Sequence, residues 1–254
     1  VLLGPDPALY EALEPLAANG AVINLVGAGA LNAPAQVDVG LLHYDHVSLV
    51  GTPEPNGAAG YAPIRCELKP GGRLALLGAA GPMGQMHFQR ALQAEQPPRL
   101  IVATSRVMDR LALLPAKFAD LIASHPETRV LTMASAGKDT ATFNAELLGA
   151  TGGQGYDNII VLAPSAQVVA DALGMLAPGG VMNIFAGLPR GTRAPLDLTA
   201  IVSRGARLVG SSGSFIGDLR HMLQLTEQGT LDPNLSVVAI AGLRAAKEAL
   251  EGVM

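Results

Sequence analysis

The chain has 254 residues, 49% of them hydrophobic and 15% charged, which suits one large domain or one and a half ordinary ones and excludes a disordered segment. No apolar run reaches membrane-spanning length and no basic region precedes Val1, so neither a transmembrane helix nor a signal peptide is expected. A net charge of −4 argues against non-specific nucleic-acid binding, and the single cysteine, Cys66, excludes an intrachain disulfide framework or a Cys-rich zinc site, with a reducing cytoplasm as the expected compartment.

From the N-terminus, a helix is expected over 6–18 and a strand over 22–26. The cluster "HYDH", His43 to His46, follows, and then a strand over 47–50. A His–carboxylate cluster can bind metal or shuttle protons, but no third ligand lies nearby in sequence, so a structural or surface role is the expectation. The stretch "TPEPNGAAGYAP" from Thr52 reads as a loop, residues 54–65 forming a linker. Cys66 has no adjacent His and reads as a buried structural thiol.

A strand over 74–77 then runs into "GAAGPMGQMH" at Gly78. Small residues at Gly78 and Ala79 permit a tight turn out of the strand. Gly81 lets a pyrophosphate approach the backbone, and Gly84 lets the following helix, 84–94, pack closely. The phosphates would lie on the helix N-terminus, where Pro82 forfeits no needed N–H. His87, one turn in, is open between a phosphate contact and packing. The next strand, 100–104, ends in Ser105 and Arg106, with Arg110 one turn on. An acid at that strand end would take the ribose 2′-OH of NAD. Ser and Arg instead suit the 2′-phosphate of NADP, unless Asp109 neutralises the arginines.

Beyond it, helices are expected at 109–124, 144–148, 165–176 and 218–228, and strands at 130–133, 158–162, 181–185 and 208–209. This α/β order predicts a doubly wound, Rossmann-type parallel sheet. An internal repeat is also present. "EALEPLAANGAVINLVGAG" from Glu11 parallels "DALGMLAPGGVMNIFAGLP" from Asp171, Asp38 parallels Asp197, and "LVGT" at Leu49 parallels "LVGS" at Leu208. Residues 1–53 therefore read as a half-Rossmann copy in front of a dinucleotide-binding domain, 66–215, with a return segment at 216–254.

Four motifs, "GAAGPMGQMH", "YDNIIVLAPS" at Tyr156, "LAPGGVMNIFAGL" at Leu176 and "RLVGSSGS" at Arg207, resemble the cofactor domain of medium-chain dehydrogenases/reductases, the zinc-type alcohol and polyol dehydrogenases. The resemblance implies an oxidoreductase moving a hydride between nicotinamide and an alcohol or carbonyl, with a polyol or sugar phosphate as the nearest class, and the strand end at Ser105 and Arg106 favours NADP over NAD. It assigns the pyrophosphate to Gly81, Pro82, Met83 and Gly84 and the adenosine ribose to Ser105 and Arg106. Ala163 and Pro164 would border the nicotinamide ribose; Ala186, Gly187, Leu188, Ser211 and Ser212 would border the nicotinamide. A homodimer joined at the last strand would follow family habit. The family's zinc-ligating catalytic domain is not found here, so catalytic residues stay unassigned and zinc is expected only from an absent upstream segment. A non-catalytic nucleotide-binding or scaffold module is the alternative. A short-chain dehydrogenase is disfavoured because no Tyr is followed four residues later by Lys. A methyltransferase would not need the 176–188 and 207–214 segments.

Overall fold

The Val-, Ile- and Leu-rich runs between glycine joins pair side by side in one sheet, and their unbroken apolarity reflects burial on both faces. Residues 74–77 and 159–161 are each at most 5% exposed. The computed structural model describes residues 1–4, 6–27, 29–61, 66–210, 212–237 and 239–251. In chain order the elements are β1 (Leu2–Leu3), α1 (Pro7–Leu13), β2 (Val22–Val26), β3 (Ala35–Asp38), α2 (Val39–Tyr44), β4 (Ser48–Thr52), β5 (Arg73–Leu77), α3 (Pro82–Leu92), β6 (Leu100–Ser105), α4 (Met108–Lys117), α5 (Ala119–Ala123), β7 (Arg129–Ala134), α6 (Thr140–Ala150), β8 (Tyr156–Val161), α7 (Ala166–Gly174), β9 (Leu176–Ile184), β10 (Arg193–Leu196), α8 (Thr199–Arg204), β11 (Arg207–Gly210), α9 (Ile216–Glu227) and α10 (Ala246–Glu251). Two compact units result, Val1–Gly213 and Ser214–Met254. The second consists of α9, two short 3-10 turns and α10.

The strands of the first unit lie in the order β1-β2-β4-β11-β9-β8-β5-β6-β7. Neighbours are parallel except at β4 and β11, which meet antiparallel with Leu49 opposite Leu208. From β5 the chain winds outward to β6 and β7. It then returns to the other side of β5 and winds through β8 and β9 to β11. The winding direction reverses between β5 and β8, and a crevice opens at the carboxyl ends of strands at such a switch point. The Rossmann-type α/β fold expected from the sequence is present.

The strands and helices on the two sides of the β4/β11 junction follow the same order: β1-α1-β2-β3-α2-β4 and β8-α7-β9-β10-α8-β11. β3 and β10 form a separate antiparallel ribbon in which Gln36 faces Pro195. Each antiparallel pairing thus contains one pair 159 residues apart, Gln36 with Pro195 and Leu49 with Leu208. Each half also lays its short helix on the other half's last strand. A Cβ on Gly210 would lie 2.4 Å from the Leu42 carbonyl oxygen of α2, and one on Gly51 would lie 3.0 Å from the Ile201 carbonyl oxygen of α8. Buried Glu14 ties the halves together, accepting hydrogen bonds from Tyr10 Oη at 2.8 Å, Asp38 N at 2.8 Å and Arg193 Nη1 at 3.0 Å. β11 is hydrogen-bonded on both sides, so the last strand offers no free edge to a second copy.

Several elements depart from expectation. β1, β3, β10, α2 and α8 are not foreseen. β3 and β10 are four residues long with polar or proline positions between buried ones, and the two helices span six residues each, too short for a periodic pattern. The helix expected over 109–124 is two, parted at Phe118 just after Pro115. β9 begins at Leu176, ahead of the expected 181. Within the stretch read as a linker, Gly57–Gly60 form a 3-10 turn, and Asn24 Nδ2 on β2 donates to the Gly57 carbonyl at 2.7 Å. Residues 62–65 of that stretch lie outside the described residues.

Candidate functional site

Three neighbouring strand ends turn in the same way. The Thr104 carbonyl accepts from the N–H groups of Gly78 and Ala79 at 3.1 and 2.7 Å. The Leu77 carbonyl accepts from Leu162 and Ala163 at 2.8 and 2.9 Å. The Val161 carbonyl accepts from Phe185 and Ala186 at 3.1 and 2.9 Å. Each carbonyl collects two successive donors from the adjacent strand, which ends the ladder and lifts the chain off the sheet. The ends of β6, β5, β8 and β9 form a continuous rim, with Gly78 and Ala163 on either side of the switch point.

The glycines of "GAAGPMGQMH" divide by what surrounds them. Gly78 has φ +100°, and a Cβ there would meet Ala163 N at 2.7 Å. At Gly84 a Cβ would lie 2.2 Å from the Ala79 carbonyl oxygen, so the first turn of α3 lies directly on the strand exit. At Gly81 a Cβ would meet nothing within 4 Å, although Gly81 is the N-cap of α3, with an extended backbone that any residue adopts. Pro82 is the first helical residue, so the N–H groups of Met83 and Gly84 are the first-turn donors without an intrahelical partner. Gly78 and Gly84 therefore serve the chain's own packing, and Gly81 leaves a bare cradle beside a helix N-terminus.

Beyond Thr104, the backbone of Ser105 and Arg106 is fixed by the chain after β7: their carbonyls accept from Ser135 N at 3.1 Å and Ala136 N at 2.8 Å. Ser105 is half-buried and Arg106 exposed, and among the described residues no ion pair joins Arg106 or Arg110 to Asp109. A cleft of about 360 Å³ opens between this strand end and helices α6 and α7, lined by Leu77, Gly78, Ser105, Arg106 and Ala163 and also by Ser135, Lys138, Thr140, Phe143 and Asn144. The second group has no counterpart among the sequence candidates, which stop at the end of β6 and leave out the loop after β7 and the start of α6. Lys138 pairs with Glu146 and lies over the Phe143 ring at 5.7 Å. Arg110 is exposed on α4 and does not line this cleft.

On the other side, Ala186 and Leu188 are buried and Gly187 exposed at the end of β9. The "HYDH" cluster, distant in sequence, comes here: His43 and Tyr44 end α2, and Asp45 and His46 follow it. His43 Nδ1 lies 3.1 Å from the Ile184 carbonyl; a carbonyl only accepts, so Nδ1 carries the proton. Asp45 forms a two-bond ion pair with Arg190 at 2.8 and 2.9 Å. The Arg190 guanidinium also stands 5.1 Å from the Tyr44 ring centroid. Asp38 caps α2 and accepts from Gly191 N at 2.8 Å. The loop 187–191 is thus fastened to α2 at both ends. Pro164 is exposed and Ser212 half-buried after β11, while Ser211 lies outside the described residues.

The remaining sequence candidates have structural surroundings. His87 donates from Nδ1 to the Met83 carbonyl at 2.8 Å and meets Phe185 edge-on; burial lowers its pKa. Burial pushes the Cys66 thiol up to about 11, against a hydrogen bond from Asn158. Among the described residues no three His, Cys, Asp or Glu side chains come together as a metal site, so these residues do not fit a zinc centre and no step is assigned to one. No helix among them is long and apolar enough to cross a membrane.

Comparison with known proteins matches residues 100–228 to the zinc-binding dehydrogenase family. The chain is 33% identical over 187 residues to the mannitol-1-phosphate 5-dehydrogenase of Aliivibrio fischeri, covering 70% of this chain and 42% of that protein. It is 31% identical over 185 residues to the L-sorbose 1-phosphate reductase of Klebsiella pneumoniae, covering 71% and 42%. A solved Escherichia coli oxidoreductase/dehydrogenase of unknown specificity shares the fold at a TM-score of 0.55 and 20% identity, covering 74% of this chain and 49% of that one. The matches thus span less than half the length of the relatives.

Proposed function

The chain belongs to the zinc-binding dehydrogenase family, and on that premise we propose that it holds the dinucleotide in an NAD(P)-dependent oxidoreductase acting on an alcohol or carbonyl, with NADP(H) preferred. One observation carries the reading: Gly81, alone among the three motif glycines, has open space where its side chain would be, at the N-terminus of an 11-residue helix beside the switch point. Gly78 and Ala79 make the turn. Gly81, Pro82, Met83 and Gly84 hold the pyrophosphate, with the Met83 and Gly84 N–H groups as donors. Ser105 and Arg106 meet the adenosine ribose, with Arg110 adding positive charge from the surface. Ala163, Pro164, Ala186, Gly187, Leu188, Ser211 and Ser212 border the nicotinamide half. When bound, the nicotinamide gives or accepts the hydride; this chain orients it and shields it from water.

A polyol or sugar phosphate is the substrate class suggested by the names of the two relatives. We further propose a half-Rossmann repeat at 1–53, a linker at 54–65, the dinucleotide-binding domain at 66–215 and a return segment at 216–254. Fluorescence titration of the chain with NADPH and NADH tests the cofactor reading; absence of saturable binding of either would refute it. Turnover in a longer form of the protein separates an enzyme from a non-catalytic nucleotide-binding module.

A further inference from the structure

We propose that Tyr44 is a cofactor-positioning residue whose hydroxyl hydrogen-bonds the nicotinamide half of the dinucleotide beside Gly187; this rests on the cofactor reading above. The tyrosine comes from α2, far from the glycine motif in sequence, and is delivered to the rim by the antiparallel junction. A Cβ on Gly187 would lie 2.9 Å from Tyr44 Oη and 3.8 Å from His43 Nε2. The missing side chain of Gly187 is therefore the space that the tyrosine tip occupies. Gly187 is itself exposed at the end of β9, next to the Val161–Ala186 turn that completes the rim of strand ends.

The ring is held from two sides, and the loop beside it is seated on α2. His43 packs edge-on against the Tyr44 ring at 4.6 Å and is itself fixed by its Nδ1–H bond to Ile184. Arg190 lies over the ring at 5.1 Å and is fixed by Asp45. Gly40, at the start of α2, lies against the Pro189 carbonyl, where a Cβ would come within 2.3 Å. Among the described residues the Tyr44 hydroxyl makes no hydrogen bond, although Arg190 and Gly191 of the adjoining loop are each bonded to an aspartate. Tyr44 is 36% exposed, so a ligand along the rim can reach it. A rigidly held phenol with an unspent donor and acceptor, at the end of a row of strand ends, is built to meet a polar ligand group.

The test compares two ligands in the parent and in Tyr44→Phe. NADPH carries the nicotinamide and its ribose; 2′-phospho-ADP lacks both and reports only on the adenosine end and pyrophosphate. The Phe ring keeps the contacts with Arg190 and His43, and an unchanged thermal midpoint would verify the fold. The expected result is a loss of about three- to tenfold in NADPH affinity, the worth of one neutral hydrogen bond, with 2′-phospho-ADP affinity unchanged. An unchanged ratio of the two affinities, or an equal fall in both, overturns the proposal and leaves the cofactor reading standing. A parent that binds neither ligand overturns the cofactor reading and this proposal with it.

Discussion

Leu49 and Leu208 face each other where the nine-stranded sheet changes direction, and they are also the equivalent residues of the repeat read from the sequence. The same separation of 159 relates Gln36 to Pro195 across the ribbon. Among the described residues, the two buried side-chain oxygens without a hydrogen-bond partner are Asn24 Oδ1 and Asn183 Oδ1, again 159 apart. Paired strands, reciprocal helix packing and a shared buried polar defect favour the half-repeat proposed above, in which a local twofold axis would relate the two copies. Such an arrangement lets residues of the first copy reach the carboxyl end of β9, which a strand appended at the far edge of the sheet could not do.

Close packing at that junction leads to the first prediction. Gly210→Ala places a methyl 2.4 Å from the Leu42 carbonyl oxygen and 2.9 Å from His43 Cα, both backbone atoms that cannot rotate aside. The expected cost is about 1–3 kcal/mol, by the usual scale for overpacking. It would be read as a lower midpoint in urea unfolding, and an unshifted midpoint would mean that α2 is not seated on β11 as described.

The motif glycines give a paired prediction. Gly81→Val should leave the unfolding midpoint nearly unchanged, because its Cβ meets nothing and its backbone is extended. It should weaken dinucleotide binding at least about tenfold, near 1.4 kcal/mol. Gly84→Ala should do the reverse at the level of folding, since its methyl would meet the Ala79 carbonyl oxygen at 2.2 Å. Calorimetric titration and thermal melting of both variants separate a ligand cradle from a packing glycine. Full affinity in Gly81→Val would move the site away from this turn.

The sheet, its winding and the glycine turn are legible in the sequence because long apolar runs and positive-φ turns leave strong local signals. Gly84 is glycine because of Ala79, five residues before it, and Gly78 has a local reason in its φ of +100°. Gly187 has none so near: its reason is Tyr44, 143 residues earlier in the sequence. The same holds for Lys138 and Phe143, which line the cleft from the loop after β7 and from α6, neither of which carries a motif. The repeat contains one signal that would have located α2, since "HYDH" falls opposite "VSRG" at Val202 and both end short helices over the other half's last strand. Reading that register as a helix requires knowing that the two halves pack reciprocally, which is a tertiary fact.

Cys66 should be chemically quiet. With its thiol pushed up to about 11 by burial, only about one molecule in a thousand carries the thiolate at pH 8, and the thiolate is the reactive form. A disulfide-exchange reagent such as DTNB should label the native chain far more slowly than the same chain in guanidinium. Equal rates in the two states would show an accessible, activated cysteine.

Asp157 should mark the acid limb of stability. Burial works to raise its carboxyl, but hydrogen bonds from Arg73 and Lys69 outweigh it and hold the carboxyl at about 2. A depressed folded-state pKa stabilises the chain above the ordinary Asp range. That contribution is lost as pH falls from about 4 toward 2. It is on the order of 1–2 kcal/mol once solvent around the exposed Lys69 is allowed for. Asp157→Asn should be less stable than the parent at pH 7 and show a flatter decline between pH 4 and pH 2. Parallel curves for the two proteins would assign the acid limb to other carboxylates.

Cofactor choice should rest on Ser105 and Arg106. Their backbones are pinned by Ser135 and Ala136, so the strand end presents one fixed surface to a ribose. The 2′-phosphate of NADP carries nearly two negative charges. Arg106, exposed and without an ion pair among the described residues, can meet it with charge-assisted hydrogen bonds worth roughly 1.5–3 kcal/mol. Lys138 lines the same cleft and adds positive potential, reduced by its pairing with Glu146. NADPH should therefore bind at least about tenfold more tightly than NADH, and the gap should narrow as salt screens the phosphate. Ser105→Asp should invert the order, since a carboxylate repels the phosphate and accepts a hydrogen bond from the free 2′-OH of NADH. Arg106→Gln should erase the preference without reversing it. Titrating both cofactors against the parent and the two variants distinguishes these outcomes. Equal affinities in the parent, or an unaltered order in Ser105→Asp, would place the adenosine ribose somewhere other than the end of β6.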